Sequence, residues 1–200
     1  MFWNASGTPN MRIIAGTAKG TRLEAPKGQN TRPTLDRVRE ALFSILGPKV
    51  DGARVLDLFA GTGAIGIEAL SRGAAHCEFI ENDAQCAGLI RRNLEAARVG
   101  SRAEIRQFRV PEAISELGDT GRSFDLIYAD PPFNFEDYSL ICDELTRYDL
   151  LEPKGILIIE HDSRMSLSDC SRELSCFREA GYGATCLSFF SARQEETDSQ

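Results

Sequence analysis

The sequence predicts an α/β fold in which helices cover both faces of a mostly parallel β-sheet. Two observations support this. Short, continuous apolar runs that suit strands alternate with longer segments of helical periodicity. Most of these runs also lack the polar alternation of a sheet with one solvated face, as expected for parallel strands buried on both sides. A length of 200 residues suits one domain with a sizeable core.

The chain is expected to divide into four parts: a disordered leader at residues 1–10, a basic extension at 11–48, a main domain at 49–192 and a frayed polar tail at 193–200. The extension begins with a hairpin over Arg12–Ala25, where short apolar pieces alternate with glycine and basic residues. A helix follows from a cap at Thr34 to about Leu46, because apolar side chains recur on one face and Gly47-Pro48 stops it.

Strands and helices alternate through the main domain. The predicted strands are Arg54–Phe59, His76–Ile80, Ala103–Phe108, Phe124–Ala129, Gly155–Glu160 and Ala184–Phe190. The predicted helices are Ala64–Ser71, Ala84–Arg98, Pro111–Leu117, Asp137–Tyr148 and Cys170–Ala180. This order of elements is typical of a doubly wound sheet.

Charge is distributed unevenly. The chain carries a net charge of −7, which argues against a protein that coats nucleic acid generally. Residues 1–54 nevertheless hold nine Lys or Arg and four Asp or Glu, so their net charge is +5 and that of the remainder is −12. This asymmetry indicates an N-terminal basic surface aimed at a polyanion. A solvated basic face without a partner is the alternative.

The six cysteines form no Cys-x-x-Cys pair and no metal-ligand spacing with the two histidines. We therefore expect reduced thiols in a cytoplasmic protein that needs no metal. Apolar runs stay well below the roughly 18–20 residues of a membrane span, so no membrane association is expected.

The tetrapeptide Asp-Pro-Pro-Phe directly follows the apolar run Phe124–Ala129. Pro131 and Pro132 lack the N–H group that a sheet ladder needs, so the strand must end at Asp130. A carboxylate and a nearby carbonyl can accept two hydrogens from a flat, amine-bearing group while Phe133 packs on its face. These four residues are the candidate catalytic site, suited to the exocyclic amine of a nucleobase. A proline-ended strand with the ring in the core is the alternative.

A glycine-rich turn follows the first strand, in Asp57-Leu-Phe-Ala-Gly-Thr-Gly-Ala-Ile-Gly66. Glycines there let the backbone approach a ligand closely, and their spacing also fits the dinucleotide pattern G-x-G-x-x-G. The Asp57 carboxylate would crowd a pyrophosphate but suits a ligand with an ammonium and a sulfonium group. Glu81, at the end of the second strand, can accept both hydroxyl hydrogens of a ribose. A tight turn beside an exposed strand end is the alternative.

The glycine turn followed by Asp-Pro-Pro-Phe resembles S-adenosylmethionine-dependent amino-methyltransferases. Three further segments narrow the match: Arg12-Ile-Ile-Ala-Gly16 with Lys19-Gly20, Arg32-Pro-Thr-Leu-Asp-Arg-Val-Arg-Glu40, and Glu68-Ala-Leu-Ser-Arg-Gly-Ala74. Together they resemble the bacterial 16S rRNA (guanine(966)-N(2))-methyltransferase family, the small-subunit rRNA methyltransferase D group. The resemblance runs from about Arg12 to Phe190, and its Arg-Pro-Thr segment is its most specific part.

The resemblance implies a Rossmann-like class I methyltransferase fold with a seven-stranded sheet and an antiparallel last strand. It also implies S-adenosylmethionine as cofactor, S-adenosylhomocysteine as product, and methyl transfer to guanine N2 in 16S rRNA. The expected partner is 16S rRNA or the small ribosomal subunit, and we expect a monomer.

Roles for particular residues follow from the same resemblance. The expected cofactor contacts are Asp57, Phe59, Gly61, Thr62, Gly63, Glu81, Asn82 and Arg109. The residues expected to face RNA are Arg12, Lys19, Arg22, Arg32, Arg37 and Arg39. Arg109 stands where such families often place an acidic or amide residue against the adenine amine. Adenine recognition is therefore expected to use backbone groups or apolar packing.

Three other functions stay open at this point. The tetrapeptide also suits a methyltransferase acting on adenine N6 of DNA or on a protein glutamine. A catalytically silent RNA-binding protein could keep the same fold. A nicotinamide oxidoreductase would use the glycine turn, although it gives no role to Asp-Pro-Pro-Phe.

Overall fold

A computed structural model of the chain describes residues 11–26, 33–132, 135, 137–167 and 171–193, with the backbone alone for 33–35. The predicted leader, Arg32, Phe133 and nearly all of the predicted tail lie outside these residues. The proposed division into four parts therefore stays a prediction.

Helices and strands alternate from α1 to β5 as the sequence indicates, and the last three strands then follow one another without a helix. The helices are α1 (Pro33–Leu46), α2 (Ala64–Ser71), α3 (Ala84–Ala97), α4 (Val110–Asp119) and α5 (Tyr138–Arg147). The strands are β1 (Arg54–Leu58), β2 (His76–Ile80), β3 (Ala103–Arg106), β4 (Phe124–Ala129), β5 (Leu151–Asp162), β6 (Leu174–Tyr182) and β7 (Thr185–Ala192). Short 3-10 turns follow α1 and α3.

The strands form one seven-stranded sheet in the order β3-β2-β1-β4-β5-β7-β6. The first five strands pair in parallel, whereas β7 runs antiparallel to both β5 and β6. The predicted α/β fold with an antiparallel last strand is confirmed. Because the chain reverses its winding between β1 and β4, their carboxyl ends border the crevice where open α/β sheets bind ligands.

Helices cover both faces of the sheet, each over its own apolar core. The helices α1, α2 and α3 pack on one face, where Phe79 of β2 is fully buried. The helices α4 and α5 pack on the other, around Phe124 and Phe190. Within the described residues, no helix combines the length and apolar character that crossing a bilayer requires.

The predicted helix over Cys170–Ala180 is wrong. Residues Leu174–Tyr182 form the edge strand β6, which pairs with β7 through a two-residue turn at Gly183 and Ala184. Gly183 has a φ of +68°, a conformation that tight hairpin turns need. The segment mixes good helix formers such as Arg178, Glu179 and Ala180 with aromatic residues that suit strands, and cross-strand pairing outweighed the apparent helical spacing.

Helix α1 begins at Pro33, one residue before the predicted Thr34 cap, so that cap assignment is also wrong. Proline suits the first helical turn, because the N–H group it lacks has no partner within the helix there. The predicted stop at Gly47-Pro48 is confirmed, since the chain continues as a 3-10 turn.

The predicted N-terminal hairpin is present as a short antiparallel pairing, with a bridge between Arg12 and Arg22. The N–H groups of Ile13 and Leu23 bond across it at 2.9 Å each, to Thr21 and Met11. Apolar side chains from this segment are buried in the same core as α1 to α3. The hairpin is therefore an integral part of the packed domain.

Glu68 fastens the hairpin to α2. Its fully buried carboxylate accepts the N–H groups of Ile14 at 2.7 Å and Ala15 at 3.0 Å, and it pairs with the Arg72 guanidinium at 2.7 Å. Ser71 adds a second attachment, since its hydroxyl donates to the Ala15 carbonyl at 2.6 Å and accepts the Ala18 N–H at 2.9 Å. We call this set of contacts the N-terminal clasp.

The N-terminal clasp requires a glycine at position 16. Gly16 has a φ of +83°, and a Cβ atom there would lie 1.9 Å from the Ser71 carbonyl oxygen. Gly20 has nearly the same φ, +85°, but a Cβ there would meet nothing within 4 Å. The two positions share backbone strain and differ in the space around them.

Gly16→Ala should therefore lower the free energy of unfolding by about 2–4 kcal/mol, from strain plus displacement of the clasp. Gly20→Ala, the matched control, should lose only about 1 kcal/mol from strain. Urea unfolding of both variants measures the difference. Equal losses would contradict the assignment of the clasp.

Candidate active site

The end of β1 places Asp57 beneath the start of α2. Its carboxylate is 2% exposed and accepts the Gly66 N–H at 3.0 Å, in the first turn of that helix. Burial, with a smaller contribution from the Glu81 charge, raises the pKa of Asp57 to about 7, although the Gly66 bond opposes this. Asp57 thus fixes the end of the glycine turn through Gly66, and about half of its carboxyl groups carry a proton near pH 7.

Glu81 holds the same turn from the side. At the end of β2 its carboxylate accepts the Gly61 N–H at 2.7 Å and the Asp83 N–H at 2.8 Å. Two of the predicted cofactor contacts, Gly61 and Glu81, are thus joined directly. The sequence predicts a ribose ligand for Glu81, and the structure adds a role in shaping the loop.

The glycines of the turn have distinct functions. Gly61 and Gly63 have φ values of +55° and +75°, which let the chain leave the strand and enter α2. A Cβ at Gly66 would lie 2.3 Å from the Phe79 ring, so this glycine permits α2 to pack closely on β2. Phe59 also has a positive φ, +61°, which is uncommon outside glycine and marks a constrained backbone at this site.

Asn93 of α3, which the sequence analysis did not single out, joins the glycine turn to the N-terminal segment. This residue is 1% exposed, and its amide donates to the Thr62 carbonyl at 2.9 Å and to the Glu24 carbonyl at 3.1 Å. Its oxygen accepts the Glu24 N–H at 2.7 Å. A polar residue on the buried face of an amphipathic helix was the available indication.

The end of β4 carries Asp130. The residue is exposed at the sheet edge, yet protein surrounds its carboxyl group enough that desolvation, followed by the Glu160 and Asp57 charges, raises its pKa. No described residue donates a hydrogen bond to it. The described residues therefore leave its oxygens without a donor, and the predicted contact with a ligand stays a prediction.

Aromatic rings lie beside this edge. The Phe59 and Phe135 rings meet edge to face at 5.7 Å, and Phe135 meets Tyr138 in the same way at 5.3 Å. Pro131 is buried, whereas Pro132 is exposed and its carbonyl accepts the Phe135 N–H at 2.8 Å. The turn after Asp130 is thus packed against the residue that leaves β1.

The remaining predicted cofactor residues stand at the same edge without bonds into the site. Asn82 is exposed just after β2. Arg109 is exposed at the residue before α4, and its side chain makes no capping bond. Their contact with a cofactor stays a prediction.

The basic residues of the extension separate into two groups. Arg12, Lys19, Arg22 and Arg37 are exposed, and no described acid pairs with their side chains. Arg39 is 3% exposed and donates to the Arg12 carbonyl at 2.6 Å and to Asp36 at 3.0 Å. The prediction that Arg39 faces RNA is therefore wrong, because packing of α1 turns it inward to fix the hairpin.

A cavity of about 310 Å³ lies away from this edge, lined by Leu46, Lys49, Lys154, Phe177 and Phe189 among others. A second cavity of about 260 Å³ borders the amino ends of β1 and β4. The carboxyl edge, which neither cavity borders, carries the predicted site acids and the glycine turn.

The sheet order, the glycine turn after β1 and the acid after β2 define a class of protein, the Rossmann-like methyltransferases. A family model described as conserved hypothetical protein 95 matches residues 11–191. The chain is 35% identical over 183 residues to the putative rRNA methyltransferase YlbH of Bacillus subtilis, covering 92% of this chain and 100% of that protein.

The chain is also 37% identical over 155 residues to ribosomal RNA small subunit methyltransferase D of Escherichia coli, covering 72% of this chain and 76% of that protein. The structure of the putative methyltransferase yhhF from Escherichia coli superposes with a TM-score of 0.80 at 29% identity, covering 94% of this chain and all of that one. This chain belongs to the family of the bacterial small-subunit rRNA methyltransferase D.

Ionisation of Asp57 should cost stability as pH rises. The folded pKa of about 7 lies above the ordinary 3.8, so the folded state binds the proton more tightly and loses this advantage as pH rises through 7. Asp57→Asn keeps an acceptor for the Gly66 N–H and cannot ionise. Relative to the native chain, the free energy of unfolding of this variant should therefore be roughly 2–3 kcal/mol higher, meaning greater stability, at pH 8.5 than at pH 5.

Urea unfolding at the two pH values measures this change. Asp83→Asn is the control. Asp83 is exposed and backbone hydrogen bonds lower its pKa, so it titrates below pH 5 and its replacement should not change the pH dependence of stability between pH 5 and pH 8.5. A pH-independent difference between Asp57→Asn and the native chain would contradict the account of the buried acid.

Proposed function

We propose that this chain is an S-adenosylmethionine-dependent methyltransferase that methylates the exocyclic N2 of a guanine in 16S rRNA. The observation that carries the proposal is Asp130, an open carboxylate at the sheet edge where the glycine turn also lies. Relatives named as rRNA methyltransferases support the reaction class. The choice of guanine N2 rests on the resemblance described from the sequence, and the cytoplasm is the proposed place of action.

The cofactor edge suits a cation better than a pyrophosphate. Asp57, Glu81 and Asp130 bring three carboxyl groups to it. The N–H groups of Gly61, Gly63 and Gly66 are already bonded within the protein, to Glu81, to the Ala60 carbonyl and to Asp57. A dinucleotide would need such donors for its phosphates, so the geometry disfavours a nicotinamide oxidoreductase.

The same residues fit S-adenosylmethionine. Asp57 and the turn would hold the ammonium end, and Glu81 would accept the ribose hydroxyls. The bound cofactor supplies an electrophilic methyl group on a sulfonium.

Asp130 and the Pro131 carbonyl act on the nucleophile. The N2 lone pair of guanine is delocalised into the ring, which makes the amine a poor nucleophile. Two hydrogen bonds, one to Asp130 and one to the Pro131 carbonyl, favour a pyramidal nitrogen and direct its lone pair at the methyl carbon. Positioning and electrostatics therefore provide most of the catalysis.

In the proposed transfer, an N–C bond would form at N2 as the S–C bond breaks, so the leaving group would be a neutral thioether and the positive charge would pass to N2. The methylated amine loses its proton, which Asp130 or water accepts. The raised pKa of Asp130 makes it a competent acceptor at this step. Phe133 is proposed to stack on the base, which must be unpaired or flipped to reach the edge.

The N-terminal hairpin provides the proposed RNA contacts. Its exposed Arg12, Lys19 and Arg22 would bind phosphates and position the rRNA, with Arg32 and Arg37 as further candidates. The clasp and Asn93 connect this surface to the glycine turn, so the RNA is held by a segment fixed to the catalytic edge.

Asp130→Asn tests the catalytic role. The amide removes the anionic acceptor for N2 but leaves the glycine turn intact, so the transfer rate should fall about 100-fold or more while cofactor affinity stays within about threefold. Asp137→Asn is the matched control in the same loop.

The transfer rate is measured with labelled methyl groups on unmodified small-subunit particles, and the methylated nucleotide is mapped. Calorimetry with S-adenosylhomocysteine measures the cofactor affinity. A variant with the native rate would overturn the mechanism, and a native product other than N2-methylguanine would overturn the substrate assignment.

Replacing Arg12, Lys19 and Arg22 together by Gln should weaken rRNA binding and reduce the slope of log affinity against log salt by about 2–3. The reason is the loss of three counterion-releasing contacts. Arg147→Gln, on α5 at the other face, is the control. Filter binding over a salt series measures the slope, and an unchanged slope would remove the hairpin from the RNA interface.

A further inference from the structure

Glu160 is the acid nearest to Asp130 along the sheet edge. The strands β4 and β5 pair in parallel with Ala129 opposite Ile159, so Asp130 and Glu160 occupy the next position on each. Residues two apart on a strand face the same side. The two carboxylates therefore leave the sheet as neighbours, on the face that carries Tyr128.

Tyr128 fixes the orientation of Glu160. The Tyr128 ring is buried against the sheet, and its hydroxyl donates a hydrogen bond to Oε2 of Glu160. No described residue donates to the other oxygen, Oε1. One oxygen of Glu160 is thus held in place while the other remains available at the edge.

The electrostatics also favour a donor-rich ligand between the two acids. Desolvation and the Glu160 charge raise the pKa of Asp130, and desolvation raises that of Glu160 against the Tyr128 bond. Two neighbouring carboxylates repel each other unless hydrogen-bond donors lie between them.

Guanine presents such donors. Its N1–H lies directly beside the 2-amino group, whereas N1 of adenine or 2,6-diaminopurine carries a lone pair and no hydrogen. A carboxylate attracts the first arrangement and repels the second. A site built to accept a hydrogen bond rejects analogues that lack the hydrogen.

We propose that Glu160 accepts the N1–H of the target guanine while Asp130 accepts from N2, which makes Glu160 the residue that selects the base. This inference rests on the function proposed above and deepens it. Tyr128 is the positioning residue for Glu160. Asp130 acts on the reacting amine, and Glu160 determines which base brings an amine to it.

The test uses small-subunit particles reconstituted with rRNA that carries 2,6-diaminopurine at the methylated nucleotide. This base keeps the 2-amino group and lacks only the N1 proton and the 6-oxo group. The native protein should methylate guanine about 10–100-fold faster than diaminopurine. Glu160→Gln, whose amide can either accept from guanine or donate to the diaminopurine N1, should reduce this ratio to about threefold or less.

Glu152→Gln is the control, since this acid lies at the opposite end of the same strand and bonds Ser123. Tyr128→Phe provides a second variant that keeps both acids and frees Glu160; it should lower the rate on guanine about 3–10-fold with S-adenosylhomocysteine affinity unchanged.

The outcomes separate the two proposals. If the native protein methylates guanine N2 and both variants keep its base ratio and rate, Glu160 is not the selecting residue, although the proposed function stands. If the native protein transfers no methyl group to guanine, the proposed function fails and this inference fails with it. A lowered ratio for Glu160→Gln alone, with the control unchanged, supports the assignment.

Discussion

Parallel pairing of β1, β2, β4 and β5 is the constraint on which the site depends. Because these strands run in one direction, their carboxyl ends meet at one edge, and each end brings an acid: Asp57, Glu81, Asp130 and Glu160. Gathering four carboxyl groups is unfavourable without compensation. Backbone N–H groups of the glycine turn satisfy the first two, whereas Asp130 and one oxygen of Glu160 stay available. That difference underlies the proposal that Asp57 and Glu81 shape the cofactor side of the site while Asp130 and Glu160 face the substrate.

The N-terminal clasp extends this arrangement to the surface. Helix α2 starts at the glycine turn and binds the hairpin through Glu68, about one turn later, and Ser71, about two turns later. Asn93 makes a second connection, from the turn to Glu24. The exposed basic residues of the hairpin are therefore held at a fixed place relative to the edge acids. In the proposed function, this fixed attachment is what would position the RNA relative to the sheet edge.

Much of the fold could be predicted because its information is local. Apolar runs, glycines and the paired prolines located β1 to β5, and the placement of Asp57, Glu81 and Asp130 at strand ends followed. The edge strand β6 was missed because its identity depends on pairing with β7 rather than on its own residues. The resemblance implied seven strands while the residue patterns gave six, and β6 accounts for the difference.

Contacts between distant parts of the chain explain the other errors and omissions. Arg39 was predicted to face RNA, but the fold buries it against the Arg12 carbonyl, 27 residues away in sequence. Glu68 and Asn93 contact residues that precede them by 53 and 69 positions, so local patterns could at most mark Asn93 as a buried polar residue and could not identify the partners of either. Glu160 was seen only as the end of a strand, and its place beside Asp130 required the register of β4 and β5.

A crystal structure with S-adenosylhomocysteine tests the central claim most directly, namely that the carboxyl edge is the catalytic site. The account predicts the ribose at Glu81, the amino-acid end above Asp57 and the glycine turn, and the sulfur facing the open side of Asp130. Binding of S-adenosylhomocysteine in the cavity of about 310 Å³ lined by Phe177 and Phe189, with nothing bound at the carboxyl edge, would contradict the account.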